Sequence, residues 1–255
     1  MNTSELSDVT AEPIQLVGMS FYFAPSTAER AKALGLNVFQ FYGLGRGGVL
    51  GDVDYETVFD AFNFFSHSAM GMLWTASREL ADPVASATAY LEAAYAYADD
   101  TFGAIDVALL ASFARAARTI ANAVPAGQHA LFDGYVRFPV PKNPGHDAYL
   151  GAITLRELRG GVHIDAVREA GITPQEAAYM HDPSIFKLHG YSDDDVPVVT
   201  SELEAKKERA EELTSRGLAA YFEVLSESGR DALVAGALAM QEATKNPVPV
   251  PREVS

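Results

Sequence analysis

None of the chain's 255 positions is a cysteine. That excludes disulfides, thiolate metal sites and cysteine nucleophiles. Positive charge is scarce too. Lys+Arg number 19 against 34 Asp+Glu, a formal charge of −15, so nonspecific attraction to nucleic-acid phosphates or anionic lipid is not expected. No uncharged apolar run reaches the roughly 18 residues that a membrane span requires, and no membrane partner is expected. The opening Met1-Asn2-Thr3-Ser4-Glu5 has neither the basic start nor the apolar stretch of a secretory signal, which places the protein in the cytoplasm. There are six histidines, but no pair has the i,i+4 spacing around a glutamate that marks a metallohydrolase helix. Neither a metal nor a cofactor is expected. A nucleophile elbow, a phosphate-binding loop and a Ser-x-x-Lys set in a pocket context are missing as well.

What is present is a chain with 48% hydrophobic residues, enough to bury a core without staples. Helix punctuation dominates it. Asp82-Pro83 supplies an N-cap carboxylate and a first-turn proline ahead of Ala87, Leu91, Ala94 and Ala98 at helical spacing. A second helix follows over 105–123, stopped by Pro125-Ala126-Gly127. Residues 138–146 hold three prolines and read as a connection between two lobes. Beyond it a helix over 147–159 is expected to stop at Gly160-Gly161, and a short one over 162–170 to close at Gly171. Thr173-Pro174-Gln175-Glu176 then has the form of a capping box, the strongest local signal in the sequence. Short helices split by a glycine turn suit either a helix-turn-helix unit or an ordinary helical lobe. Helices over 202–225 and 229–243 complete the pattern. The first carries the i,i+4 pairs Glu202/Lys206 and Lys207/Glu211, and the Pro-Val tail beyond is expected to be extended and mobile. The resulting division is an aromatic-rich lobe over 11–137, a second lobe over 147–243 and a tail over 244–255.

Residues 21–74 hold nearly half of the chain's aromatic residues, among them Phe39, Phe41, Tyr42, Phe62, Phe64 and Trp74. Such a cluster builds either a bulky core or the wall of an apolar pocket. Arg46, Asn63 and His67 interrupt it with polar groups. Gly43-Leu44-Gly45-Arg46-Gly47-Gly48 matches the dinucleotide fingerprint by pattern but lacks the strand and βαβ unit that give it meaning. It reads instead as a tight inter-helix loop, with Arg46 aimed at a carboxylate partner or an anionic ligand group. His163 reads as a hinge residue hydrogen-bonded to Glu157, and His67 as a core histidine beside Phe64, Phe65 and Met70.

Several segments resemble a known family: Tyr22-Phe23-Ala24-Pro25, Ala33-Leu34-Gly35-Leu36, Leu50-Gly51-Asp52-Val53, Phe62-Asn63-Phe64 and the run from Leu155-Arg156-Glu157 through Arg159-Gly160 to His163. They are similar to a bacterial family, common in actinobacteria, described as helix-turn-helix or winged-helix-like. The likeness covers roughly residues 11–240. It implies an all-α core of two winged-helix-like halves, at most with minor β ribbons, and a pocket between them. Members often carry His-Arg-Gly-Asp-Gly-His where this chain has Leu158-Arg159-Gly160-Gly161-Val162-His163, one histidine and one acid fewer. Val196-Pro197-Val198-Val199 stands where a β wing belongs, so the wing reads as degenerate.

The helix after Thr173 offers Gln175, Glu176, Tyr179 and His181 and no Arg or Lys, which disfavours base reading in a DNA groove. The expected function is therefore binding of a small apolar or aromatic molecule, with catalysis on it left open. Tyr42, Arg46, Asn63, Phe64, His67, Trp74, Arg156, Arg159 and His163 are the candidate binding residues, and His67, His163 and Glu157 the candidate catalytic ones. The alternative is a ligand-responsive transcription regulator, expected as a homodimer, and a third possibility is an oligomer seam along 202–225 through Leu213 and Leu218.

Overall fold

Residue 3 begins the first of thirteen α-helical segments in the computed structural model, which describes residues 1–245. In order these are α1 (Thr3–Met19), α2 (Pro25–Ala33), α3 (Val38–Gly47), α4 (Tyr55–Phe62), α5 (His67–Met70), α6 (Ala76–Arg78), α7 (Pro83–Phe102), α8 (Val107–Ala123), α9 (Ala130–Val136), α10 (Pro144–Glu169), α11 (Pro174–His181), α12 (Ser201–Phe222) and α13 (Glu227–Lys245). The all-α class is thus observed. No strand occurs among the described residues, so neither half carries a β wing. The Pro-Val tail lies outside the described residues.

The axis of the fold is α10, which packs against α1, α7, α8, α9 and α12. Its 26 residues make a rod about 39 Å long. Tyr149, Ile153, Leu155, Leu158 and Val162 are buried around much of its circumference, as a central helix requires. It starts cleanly: the Asn143 side chain accepts from the Gly145 and His146 amides, and Pro144 takes the first turn. The expected break at Gly160-Gly161 is not there, and the two helices assigned to 147–159 and 162–170 are one. Two helical glycines cost roughly 1 kcal/mol each against alanine, which tertiary packing overrides. At Gly161 the packing demands it, since a Cβ would come 2.7 Å from the His129 side chain.

A second expectation is corrected at Gly43–Gly48. These residues are not an inter-helix loop but the C-terminal half of α3 and the short 3₁₀ turn after it. Their missing side chains let neighbours approach: a Cβ at Gly43 would meet Leu73 at 2.6 Å, and one at Gly45 would meet Tyr90 at 2.7 Å. The main apolar core, from Leu6 on α1 to Met240 on α13, runs through both proposed lobes, and a smaller cluster of Val167, Ile172, Leu203 and Ala210 is separate from it. Leu213 and Leu218 on α12 belong to the buried interior, so they do not form an exposed seam. The Glu202–Lys206 pair forms at 3.0 Å, whereas Lys207 donates to the Met180 carbonyl instead of pairing with Glu211.

The same turn is built twice. After α2, the Leu36 amide donates to the Ala31 carbonyl and the Gly35 amide to Lys32, with Gly35 at φ +75°. After α10, the Ile172 amide donates to Val167 and the Gly171 amide to Arg168, with Gly171 at φ +70°. Both are Schellman stops with a glycine in the left-handed region and a buried apolar residue behind it. Both lead straight into a capping box, Asn37 with Gln40 and Thr173 with Glu176. Helix, glycine turn and capped helix therefore occur at 25–47 and again at the end of α10 with α11.

Candidate functional site

Helix α3 carries Arg46 into the interior, where it meets Glu157 on α10. Arg46 Nε donates to Glu157 Oε1 at 2.9 Å and Nη2 to Oε2 at 2.8 Å, a two-pronged contact. Its Nη1 donates to the Tyr42 hydroxyl, one turn back on α3, at 2.9 Å. The guanidinium also lies 4.5 Å from the Phe62 ring centre, at cation–π range. Arg156 is the second cation at this point. Its Nη1 donates to Glu157 Oε1 at 2.8 Å, its guanidinium lies 5.2 Å from the Tyr22 ring centre, and its Nε is buried without a hydrogen-bond partner. Side-chain exposures of 10% for Arg46, 13% for Arg156 and 1% for Glu157 put all three charges out of water.

Burial alone would push the Glu157 carboxyl up, but Arg46 and Arg156 more than offset this and hold it below the usual carboxylate range. Glu157 is therefore ionised and fully engaged, a counter-ion and not a proton donor. Burial pushes the Tyr22 phenol well up against the pull of Arg156 and Arg46. Tyr90 and Tyr135 are driven the same way by burial, so these three phenols are neutral. The expectation that Arg46 faces a carboxylate holds. The expectation that His163 bonds to Glu157 does not, because the two lie at different turns of one unbroken helix.

His163 Nδ1 instead lies 2.9 Å from the Thr214 hydroxyl on α12. That hydroxyl donates to the Ala210 carbonyl at 2.7 Å, so it accepts from His163 and fixes the ring's proton on Nδ1. Nε2 is then the ring's acceptor. Burial lowers the His163 pKa, with Glu211 opposing and Arg159 and His181 reinforcing, so the ring is neutral at pH 7. The Phe64 ring centre is 6.1 Å away. Asn63, beside it, is the one non-glycine residue with positive φ among those described, at +56°. Its Oδ1 accepts from Arg168 at 3.0 Å, and its Nδ2 is buried without a partner.

The His163 and Arg168 contacts connect α10 to the turn after α4, and the Glu157 contacts connect it to α3. Between them sits Gly160, where an added Cβ would find no heavy atom within 4 Å. Tyr42, Arg46, Asn63, Phe64, Arg156, Glu157 and His163 thus belong to one neighbourhood. Arg159, which reaches Glu211 on α12 at 3.3 Å, stands beside His163 as well. Two candidates lie apart: Trp74 is wholly buried in the core against Gly47, and His67 is exposed. His67 is therefore not a core histidine: it stacks 4.0 Å above Phe59, with Nδ1 bonded to the Tyr55 hydroxyl at 2.9 Å.

Of the twelve aromatic residues in 21–74, five are buried core (Phe21, Tyr22, Phe41, Phe62 and Trp74), while Phe39 is 46% exposed and pairs with Phe23. Cavities of about 10 and 100 Å³ lie elsewhere, between α1, α10 and α12 and between α8, α9 and α10. Tyr22, Phe65 and Arg168 escaped the sequence reading, though reading α10 as continuous would have placed Arg156, Gly160 and His163 on one face. No group of three or more His, Asp and Glu residues that could hold a metal occurs among the described residues, and no helix among them is long and apolar enough to cross a membrane.

Two helix pairs, each joined by a glycine turn and a capping box, have the local pattern of helix-turn-helix units. The chain belongs to the helix-turn-helix family, whose model matches residues 8–246. No curated protein and no solved structure matches it.

Proposed function

We propose that the chain binds a small organic molecule in the space over Gly160, between the Arg46–Glu157–Arg156 cluster and His163. The observation that carries this reading is the pair of buried donors without partners, Arg156 Nε and Asn63 Nδ2, next to an ion cluster held out of water, with half-exposed Gly160 adding no side chain to that stretch of α10. Phe62 lies against Arg46, and Phe64 lies 6.1 Å from His163. A few polar groups converging on an apolar surface is the usual make-up of a ligand site. Asn63 adds a strained backbone of the kind concentrated at such sites.

The test is native mass spectrometry of the purified full chain beside Gly160→Leu, with a panel of aromatic fragments added to each. Leucine fills the space and favours the helix. Wild type carrying an organic mass or taking up fragments, with Gly160→Leu taking up none, is the expected result. Equal behaviour of the two chains overturns the reading.

Family membership favours a second reading, regulation by DNA binding. Against it, the second helix of the first unit is inside the fold, with Phe41, Leu44 and Arg46 all buried. The second helix of the other unit, α11, has no Lys or Arg of its own and meets the acidic turn 193–195, whose Asp195 carbonyl accepts from Gln175; the one lysine bonded to it, Lys207, is engaged by the Met180 carbonyl. Recognition helices need exposed side chains and cationic support. A mobility-shift assay at low salt with a random-sequence duplex is expected to show no complex, and a retarded band would bring the DNA reading forward.

A further inference from the structure

The cavity of about 100 Å³ between α8, α9 and α10 is separate from the site proposed above. Small residues let its walls approach: a Cβ at Gly151 on α10 would stand 2.9 Å from that of Ala117 on α8. Ala121 on α8, Leu150 on α10, and Phe138 and Val140 on the proline-rich stretch after α9 complete an apolar lining. Val136 and Val140, 41% and 59% exposed, stand where it opens to water. An engineered apolar cavity of roughly 150 Å³ admits benzene, so this one has room for the greater part of a single ring, with the remainder of a molecule reaching out through the opening.

One ion pair borders it. Arg118 on α8 meets Asp147 on α10, and both carboxylate oxygens accept from the same nitrogen, Nη1. Nε and Nη2 have no partner among the described residues, and neither is shut off from water as Arg156 Nε is. With its side chain 35% exposed, Arg118 is within reach of a molecule in the cavity, while Asp147, 14% exposed, cancels its charge. The cavity therefore offers free hydrogen-bond donors but no net charge. A neutral acceptor such as a carbonyl oxygen suits that combination, whereas a carboxylate would be set against Asp147 and an ammonium against Arg118.

We propose that this cavity binds an uncharged molecule of one aromatic ring carrying a carbonyl group, with the ring against Ala121 and Phe138 and the carbonyl oxygen accepting from Arg118. It is a second site, and it stands or falls independently of the one at Gly160. Its groups divide the work: the alanines and Phe138 select a flat apolar body by shape, and the Arg118 fork orients the polar end.

The probes are acetophenone, benzoate and toluene, titrated into the full chain and followed through the methyl resonances of Ala117, Ala121, Val136 and Val140. Acetophenone and benzoate share a ring and nearly the same outline and differ in charge. Acetophenone is expected to shift these methyls and to bind at least about tenfold more tightly than benzoate. Ala121→Leu, at a half-buried helical position, fills the cavity and is expected to weaken acetophenone at least about tenfold. Arg118→Lys keeps a cation for Asp147 but loses the guanidinium fork, and is expected to weaken acetophenone about tenfold and toluene less than about twofold. Benzoate binding as tightly as acetophenone, or acetophenone indifferent to Arg118→Lys, overturns the ligand class. No methyl shift at millimolar acetophenone, or binding unaffected by Ala121→Leu, overturns the site, and so do methyl shifts that follow protein concentration alone, which would put a second copy of the chain in the cavity. If Ala121→Leu does not fold, the acetophenone-to-benzoate ratio and Arg118→Lys decide.

Discussion

Arg46 and Glu157 are 111 residues apart in the chain and are joined by two hydrogen bonds, at 2.9 and 2.8 Å, that tie α3 to α10. Because Glu157 also accepts from Arg156, one carboxylate compensates two cations. Removing the anion therefore strands both, whereas removing Arg156 leaves a closed pair. Glu157→Gln is expected to cost about 3–5 kcal/mol, the range for breaking a buried pair on one side. Arg156→Gln is expected to cost about 1 kcal/mol at most, the size of its ring contact with Tyr22, offset by removal of the surplus charge. Urea denaturation of the two variants gives the order, and a costlier Arg156→Gln would show that the cluster is already balanced in the free protein.

Adjacent glycines on α10 should respond in opposite directions. Gly160→Ala places a methyl in open space on a helix and is expected to stabilise by about 0.5–1 kcal/mol. Gly161→Ala drives a Cβ to 2.7 Å from His129 and is expected to destabilise by about 1–3 kcal/mol. Chemical denaturation midpoints measure both.

How much of this was legible in the sequence depended on whether the signal was local. The capping box at Thr173 and the Asp82-Pro83 start are both observed, because three or four consecutive residues decide them. Gly160-Gly161 misled for the converse reason. Their propensity favours a stop, but the contact that outweighs it comes from His129, far away in sequence. Arg46 announced a partner without saying which, since only the packing of α3 on α10 selects Glu157. The first helix-turn-helix went unread although Gly35, Asn37 and Gln40 carry the same punctuation as Gly171, Thr173 and Glu176. Aromatic density drew the eye to a pocket, and density alone does not distinguish Trp74, wholly buried, from Phe39, exposed.

Acid should weaken the fold through its buried histidines. Burial lowers the pKa of His163, and of His129 and His189 likewise. A depressed imidazole pKa means that the unfolded chain binds protons first, so the stabilisation is complete above about pH 6.5 and is lost as pH falls through the folded value. The melting temperature is expected to drop between about pH 7.5 and 5.5. His163→Gln, which can still donate to Thr214, is expected to flatten that slope without abolishing it, because His129 and His189 remain. A slope unchanged by the substitution would place the effect elsewhere.

The repeated turn makes the last prediction. Gly35 and Gly171 have nearly the same positive φ, +75° and +70°, and neither has a heavy atom within 4 Å of where a Cβ would stand. Alanine at either site therefore meets backbone strain alone, about 1–2 kcal/mol, and the two costs are expected to agree within a few tenths. Asparagine, which tolerates the left-handed region, should cost less at both. Gly190 supplies the contrast: its φ is +84°, but Ser66 and Ala69 press on the same position, so Gly190→Ala must add a clash to the strain and should exceed the other two. If Gly35→Ala and Gly171→Ala differ as widely as either differs from Gly190→Ala, the two helix pairs are not energetically the same construction, and the likeness in their hydrogen bonds is geometric only.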